Sequence, residues 1–167
     1  MLPNGMLTQT SENAIRALVF LGLQQSALPT APRVIAQALG CSPTYLMKTL
    51  QLLVRAGILR SRRGAHGGVW LGRAPKEISL RNIVEACQGT VVANYCQSLG
   101  HKYSASVCAF HQAMQEVFDA TTASLSRWTL ADLIRKPAPA GGHVSSRACK
   151  LQMVMPRAAL KQESSRA

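Results

Sequence analysis

The sequence predicts a mainly helical fold with one small β-hairpin, and three observations support this prediction. Apolar residues recur every three or four positions in several separate stretches, as expected for amphipathic helices. Two short runs of strand-forming residues, at 58–62 and 69–71, flank a turn rich in glycine. The chain has 167 residues, and 47% of them are hydrophobic, which is enough for a domain with a substantial core.

The first three predicted helices follow one another closely. The first runs from Ser11 to Gln24, and Ser11 is its predicted N-cap. The second follows the predicted cap Thr30 and ends at Gly40, because glycine is the residue most often found just past a helix end. The third begins after the predicted cap Ser42. Two short helices joined by a glycine-containing turn form a helix-turn-helix.

The glycine-rich hairpin comes directly after the third helix, and the addition of this wing makes a winged helix-turn-helix. Opposite its leucines, the third helix has a polar face formed by Thr44, Tyr45, Lys48, Gln51 and Arg55. Residues 55–73 contain no acid but five arginines, namely Arg55, Arg60, Arg62, Arg63 and Arg73. A polar helix beside a basic hairpin suits DNA, with the helix in the major groove and the hairpin at phosphates or the minor groove. The alternative is a solvated helix beside an ordinary cationic loop.

Further helices are predicted at 79–88, 107–128 and 129–133. The long one has a broad apolar stripe that includes Phe110, Val117 and Trp128, and this pattern predicts a dimerisation helix. The alternative is that the long helix packs back on its own domain. We therefore expect a winged helix-turn-helix domain at 6–76, a loop and dimerisation helix at 77–133, and a disordered basic tail at 134–167.

Composition narrows the class of protein. The net charge of +12 and the pI near 10.3 favour a polyanionic partner. The sequence has no nucleotide-binding, hydrolase or zinc-protease motif, so we expect no enzyme activity. The apolar run Ala14–Leu23 contains Arg16 and is too short to span a bilayer. Five irregularly spaced cysteines, an odd number, argue against the disulfide framework of a secreted protein. We expect a cytoplasmic protein without membrane contact.

The chain resembles the IscR/NsrR-type (Rrf) family of dimeric bacterial transcription regulators over about residues 6–133. The resemblance is carried by MLTQTSENAIRAL at 6–18, by 32–73 with the ending RGAHGGVWLGR, and by ISLRNIVEACQG at 78–89. It implies a homodimer that binds a partly palindromic, double-stranded DNA operator. We expect this regulator to be a repressor. It implies contacts to DNA by Ser42, Thr44, Tyr45 and Lys48 in the third helix, by Arg63 and His66 in the wing, and to phosphates by Arg60 and Arg62.

The resemblance also implies a sensing site in the loop before the long helix. Many members hold an iron–sulfur cluster there with three cysteines and a variable fourth ligand. In this chain Cys96 and Cys108 match the outer two cysteines, Lys102 stands where the middle one is absent, and His111 follows Cys108 by three residues. A carboxylate from the partner's first helix serves in some members, and Glu12 occupies that position. The implied metal ligands are Cys96, Cys108 and His111, completed by His101 or Glu12, for a [2Fe–2S] cluster.

Three alternatives to a cluster regulator remain. Cys96 and Cys108 could form a reversible disulfide, which would make the chain a metal-free thiol switch. The chain could respond to a protein or small-molecule effector instead. It could also be a non-regulatory DNA-binding or adaptor module built on the same fold.

Overall fold

The computed structural model describes residues 7–24, 28–64, 67–89 and 108–135. Within them the prediction of a mainly helical fold with an antiparallel, two-stranded hairpin is confirmed. The predicted loop at 90–106, residues 136–167 of the tail predicted at 134–167, and the wing residues Ala65 and His66 lie outside these ranges, whereas Ile134 and Arg135 belong to a helix. The elements are α1 (Gln9–Gln24), α2 (Pro32–Leu39), α3 (Pro43–Arg55), β1 (Leu59–Arg62), β2 (Gly68–Leu71), a 3-10 turn (Pro75–Glu77), α4 (Leu80–Gln88), α5 (Ala109–Arg127) and α6 (Leu130–Arg135).

The core is built around α1, which packs against α2, α3, α4 and α6. Every residue from 13 to 21 is buried, and Ala14, Ala17, Leu18 and Val19 have no exposed surface at all. The prediction that Ser11 caps this helix is wrong. Thr8 does so instead, because its Oγ1 accepts a hydrogen bond from the Ser11 backbone N–H at 3.2 Å. Ser11 lies inside the helix and is fully buried.

The prediction that Thr30 caps the second helix is also wrong. The N-cap of α2 is Ala31, which makes no side-chain capping bond. Thr30 pairs instead with Val69 of the hairpin through two backbone hydrogen bonds of 2.9 Å. Gly68 permits this pairing, since a Cβ there would stand 2.5 Å from the Thr30 carbonyl oxygen. Gly40 ends α2 in the left-handed conformation (φ 63°), as predicted.

The residues that precede α4 and α6 are paired with each other. Ser79 and Asn82 form a reciprocal capping box at the start of α4. A β-bridge between Ser79 and Thr129 joins that point to the segment between α5 and α6. From there α6 packs onto α1, where a Cβ on Gly22 would clash with the side chain of Ile134. The short helix predicted at 129–133 is thus longer and contributes the fully buried Leu130 to the core.

In contrast, α5 has no buried residue. It contacts α4, and part of its apolar surface is exposed, with Phe110 61%, Val117 56% and Trp128 (at its C-cap) 46% exposed. The apolar stripe predicted at 107–128 is therefore present. The described part of the chain covers half of its side chains partly, namely Met114, Phe118 and Leu125, and leaves a second row exposed. No helix among the described residues is long and apolar enough to cross a membrane.

Candidate nucleic-acid interface

The recognition surface predicted on the third helix corresponds to the outer side of α3. The inner side packs into the core through Leu46, Thr49, Leu50 and Leu53. Ser42 stands at the N-cap position, as predicted, although its side chain makes no capping hydrogen bond. Ser42, Thr44 and Lys48 are all exposed. The N-terminal half of α3 thus presents short polar side chains and one cation to solvent.

Tyr45 is less exposed than the other predicted DNA contacts of α3. It is half-buried, and its hydroxyl lies 2.7 Å from Oγ1 of Thr10 in the first turn of α1. This distance is that of a good hydrogen bond between hydroxyl groups. The polar end of Tyr45 is therefore engaged inside the chain.

Met47 belongs to the outer side of α3 and was missed by sequence reasoning. It is 42% exposed and stands three residues after Thr44 and four before Gln51, both also exposed. Such spacing places these side chains on one face of a helix. A methionine is usually read as a core residue, so only its spacing from exposed polar residues could have indicated its position.

The wing supplies the positive charge of this surface. Arg60, Arg62 and Arg63 are exposed, and the strand register pairs Arg60 with Trp70 and Arg62 with Gly68. At the tip Gly64 adopts a positive φ of 106°, which favours glycine strongly. His66, the remaining predicted wing contact, lies outside the described residues.

Arg73 differs from the other arginines of the acid-free stretch. Its Nε donates to the Gly57 carbonyl at 3.1 Å and its Nη2 donates to the Ala56 carbonyl at 2.9 Å. These carbonyls lie just past the C-terminal end of α3, where a cation is favoured by the helix dipole. Arg73 is exposed, but its guanidinium is held at the end of α3 by these two hydrogen bonds.

Sequence reasoning also missed the structural role of Arg16, a buried arginine that lies behind the helix-turn-helix. Arg16 of α1 is only 8% exposed, and its Nη2 donates to the carbonyl of Leu39, the last residue of α2, at 2.8 Å. Its Nη1 donates to Oδ1 of Asn13 at 3.3 Å. The side chain joins α1 to the end of α2, directly before the turn into α3. An arginine inside an otherwise apolar run was the only sequence signal for it.

The predicted redox site is only partly within the described residues. Cys108 is exposed at the N-cap of α5, and its Sγ accepts a hydrogen bond from the His111 backbone N–H at 3.4 Å. His111 is half-buried, while Cys96 and His101 lie outside the described ranges. Glu12 is half-buried in the first turn of α1. No three His, Cys, Asp or Glu side chains of the described ranges lie together as a metal site would require.

The other two described thiols pack against the core. Burial raises the pKa of the Cys87 thiol from its ordinary value of 9.0 to about 11. Cys87 is therefore a neutral thiol at physiological pH and a poor nucleophile. Cys41, in the turn between α2 and α3, is half-buried against the same core.

A helix-turn-helix followed by a basic two-stranded wing defines the class of winged-helix DNA-binding proteins. Within that class, a family model named Rrf2 and described as iron-dependent transcriptional regulator matches residues 7–136, and the chain belongs to this family. Protein aau3 of Rhizobium meliloti (strain 1021) is 31% identical over 131 residues, covering 77% of this chain and 84% of that protein. The resemblance read from the sequence is thereby confirmed.

Solved structures agree with this assignment. The structure of CymR, described as the global cysteine regulator of B. subtilis, matches with a TM-score of 0.63 and 26% identity, over 77% of this chain and 95% of that one. The structure of T. potens IscR has a TM-score of 0.64 and 23% identity, over 82% and 93% of the two chains, and supports the fold alone. The chain is thus a DNA-binding transcription regulator and not an enzyme.

Proposed function

We propose that the chain acts in the cytoplasm as a homodimeric repressor that binds a double-stranded DNA operator through α3 and the wing. The outer face of α3, flanked by exposed arginines and free of acids, is the observation that carries this proposal. Thr44, Met47 and Lys48 would meet base edges in the major groove. Arg60, Arg62 and Arg63 would contact phosphates and fix the position of the protein on the duplex, and His66 remains a predicted contact of the wing.

The second part of the proposal is that α5 forms the dimer interface. This 19-residue helix has no buried residue, and Val117 within it and Trp128 at its C-cap are exposed to water. Covering them with a second copy of α5 would remove this surface from water and would relate the two α3 helices by a two-fold axis. The operator would then contain two half-sites about one DNA turn apart.

The third part of the proposal is that the protein responds to a redox signal at a site near the start of α5. Cys108 is accessible there and stands beside His111, which supports the predicted set Cys96, Cys108 and His111. The Rrf2 family description, iron-dependent transcriptional regulator, supports a cluster. If bound, a [2Fe–2S] cluster would supply one-electron redox chemistry, and Glu12 or His101 is the proposed fourth ligand.

The described residues of one chain do not assemble this ligand set, so no step of DNA binding is derived through it. The chemical alternative is a Cys96–Cys108 disulfide, and an effector of another kind is a further alternative. One family member with a matching structure is described as a global cysteine regulator, so membership does not by itself fix the signal. Iron and acid-labile sulfide measured on protein purified without oxygen would distinguish a cluster from both alternatives.

Selection from random-sequence duplexes with the full-length protein tests the DNA-binding proposal. We expect enrichment of an inverted repeat, and a loss of affinity for it in Arg63→Ala with a salt slope reduced by about one. The control is Arg135→Ala, which removes the same charge from α6, where Arg135 is ion-paired with Asp132 at 2.7 Å. Absence of enrichment, as for an adaptor module, or equal losses in the two variants would contradict the proposal.

A further inference from the structure

The first turn of α1 is joined by hydrogen bonds to the end of α4. Oε1 of Gln88, the last residue of α4, accepts from the Ser11 hydroxyl at 3.0 Å and from the Thr8 backbone N–H at 3.3 Å. Ser11 is fully buried, and its hydroxyl lies 3.1 Å from that of Thr8. One side-chain oxygen of Gln88, an exposed residue, thus joins the end of α4 to the cap of α1 by two hydrogen bonds.

The same turn is joined to α3 through the neighbouring residue. Thr10 precedes Ser11, and its hydroxyl forms the 2.7 Å hydrogen bond with Tyr45 described above. Thr10 and Ser11 are consecutive in one helical turn, so their backbones cannot move independently. A displacement of the end of α4 that pulls on Ser11 therefore also pulls on Tyr45.

Tyr45 is well placed to set the orientation of α3. It directly follows Thr44 and lies three residues before Lys48, and both of these face outwards. A small rotation of α3 about its axis would move both side chains relative to the bases. The buried leucines of α3 resist large rotations, and the hydrogen bond to Thr10 adds a directional constraint at the end of the helix that would enter the groove.

We infer that Tyr45 is a positioning residue rather than a reader of DNA, and that Gln88, Ser11, Thr10 and Tyr45 form a junction that couples the end of α4 to the orientation of α3. This inference rests on the proposed function, since the orientation of α3 matters only if α3 contacts DNA. Gln88 precedes Gly89 and the 90–107 stretch that leads to α5, so the junction lies where a change near α5 would reach the DNA-binding domain.

The chemistry of the junction gives it a selective test. Gln88 acts only as an acceptor here, so Gln88→Glu keeps the junction, whereas Gln88→Leu removes the acceptor at nearly the same size. Tyr45→Phe removes the other hydrogen bond. With an operator selected by the wild-type protein, we expect Gln88→Leu and Tyr45→Phe each to bind about three- to tenfold more weakly and Gln88→Glu to bind like the wild type. Binding to non-specific DNA and its salt slope should not change.

The double variant Gln88→Leu/Tyr45→Phe measures the coupling itself. The two side chains share no hydrogen bond, so independent effects would multiply. We expect the double variant to be no weaker than the weaker single one, because either break already disconnects α4 from α3. Multiplied losses, a Gln88→Glu variant as weak as Gln88→Leu, or a Tyr45→Phe variant with altered preference at one base pair would overturn the inference.

A control and a DNA-free measurement complete the test. Ser79→Ala removes the cap at the opposite end of α4 and should lower stability while leaving the ratio of operator to non-specific binding unchanged. If that ratio fell as much in Ser79→Ala as in Gln88→Leu, the loss of operator binding would reflect lower stability and not the junction. Without DNA, hydrogen exchange of the amides at 46–49, the first ones bonded within α3, should accelerate in Gln88→Leu but not in Gln88→Glu. Unchanged exchange would contradict the junction even if the chain bound no operator, which separates its failure from that of the proposed function.

Discussion

The two longest helices of the chain, α1 and α5, have similar lengths and opposite environments. Of the 16 residues of α1, the nine from 13 to 21 are all buried, whereas none of the 19 residues of α5 is. Both contain regularly spaced apolar side chains. Their hydrophobic patterns therefore predict two helices. The patterns do not show which helix is buried in the core of its own chain and which has exposed apolar side chains.

The difference comes from what surrounds each helix. The chain folds α2, α3, α4 and α6 around α1, while among the described elements α5 makes its main contact with α4. Burial of apolar surface is the main favourable term in folding and in association alike. We therefore assign the apolar residues of α1 to the stability of one chain, and the exposed ones of α5 to the stability of the proposed dimer.

The largest expected effect tests the α1 side of this comparison. Leu18→Ala removes a side chain with no exposed surface and should lower the free energy of unfolding by about 2–5 kcal/mol. Val117→Ala on α5, at low protein concentration where a dimer dissociates, should change it by less than about 0.5 kcal/mol. Chemical denaturation monitored by circular dichroism measures both values. Equal losses would show that α5 is covered by its own chain.

The next effect tests the α5 side. Val117→Glu places a carboxylate in the proposed interface and should weaken dimerisation by about 2 kcal/mol or more, which is about 30-fold in the dissociation constant. Ser126→Glu introduces the same charge on the opposite side of the helix, nine positions further on. Analytical ultracentrifugation over a concentration series compares them. A dimer that tolerates Val117→Glu as well as Ser126→Glu is not formed by this stripe.

A smaller effect concerns Met47. Like Val117 on α5, Met47 is an exposed apolar side chain, but in our proposal it faces DNA and not a second copy of the chain. Replacing thymine by uracil in the selected operator removes a methyl group that Met47 could contact. We expect loss of affinity of about 1 kcal/mol at one position, absent in Met47→Ala. The matched control is Met114→Ala on α5, which should keep the full thymine dependence. Equal thymine dependence in Met47→Ala would exclude the contact.

The smallest effect concerns two thiols, that of Cys108 at the N-cap of α5 and that of Cys87 in α4. Exposed Cys108 should react with iodoacetamide before Cys87, whose rate should rise about tenfold per pH unit until about pH 11. Above about pH 9 the unfolded chain releases the Cys87 proton while the folded chain retains it. The stability contributed by the neutral thiol is therefore complete below pH 9 and falls as the pH approaches 11. Urea denaturation should show this decline in wild type and less of it in Cys87→Ala.

Local patterns predicted the fold well, because helix periodicity and glycine at helix ends act within a few residues of sequence. The spacing of apolar residues found the helices, and Gly40 ends α2 as expected. The two predicted caps that are wrong, Ser11 and Thr30, failed for tertiary reasons. Thr30 is taken up by backbone pairing with Val69, a partner 39 residues away in sequence that no local rule indicates.

The candidate site was predictable in its location but not in the roles of its members. The sequence located a polar helix and a basic hairpin, and exposure of Thr44, Lys48 and Arg63 is consistent with that expectation. It could not indicate that Tyr45 bonds to Thr10 or that Arg73 caps α3, since both depend on how helices meet in space. The roles of the predicted contacts and of the predicted ligands Cys96, Cys108, His111, Glu12 and His101 stay predictions.

The mass of the full-length protein in solution, by light scattering at micromolar concentration, tests the central assignment of α5 most directly. We expect twice the 18.0 kDa mass of one chain for the wild type and for Ser126→Glu, and the mass of one chain for Val117→Glu. A wild-type protein that remains at the mass of one chain and still binds its operator would contradict this assignment.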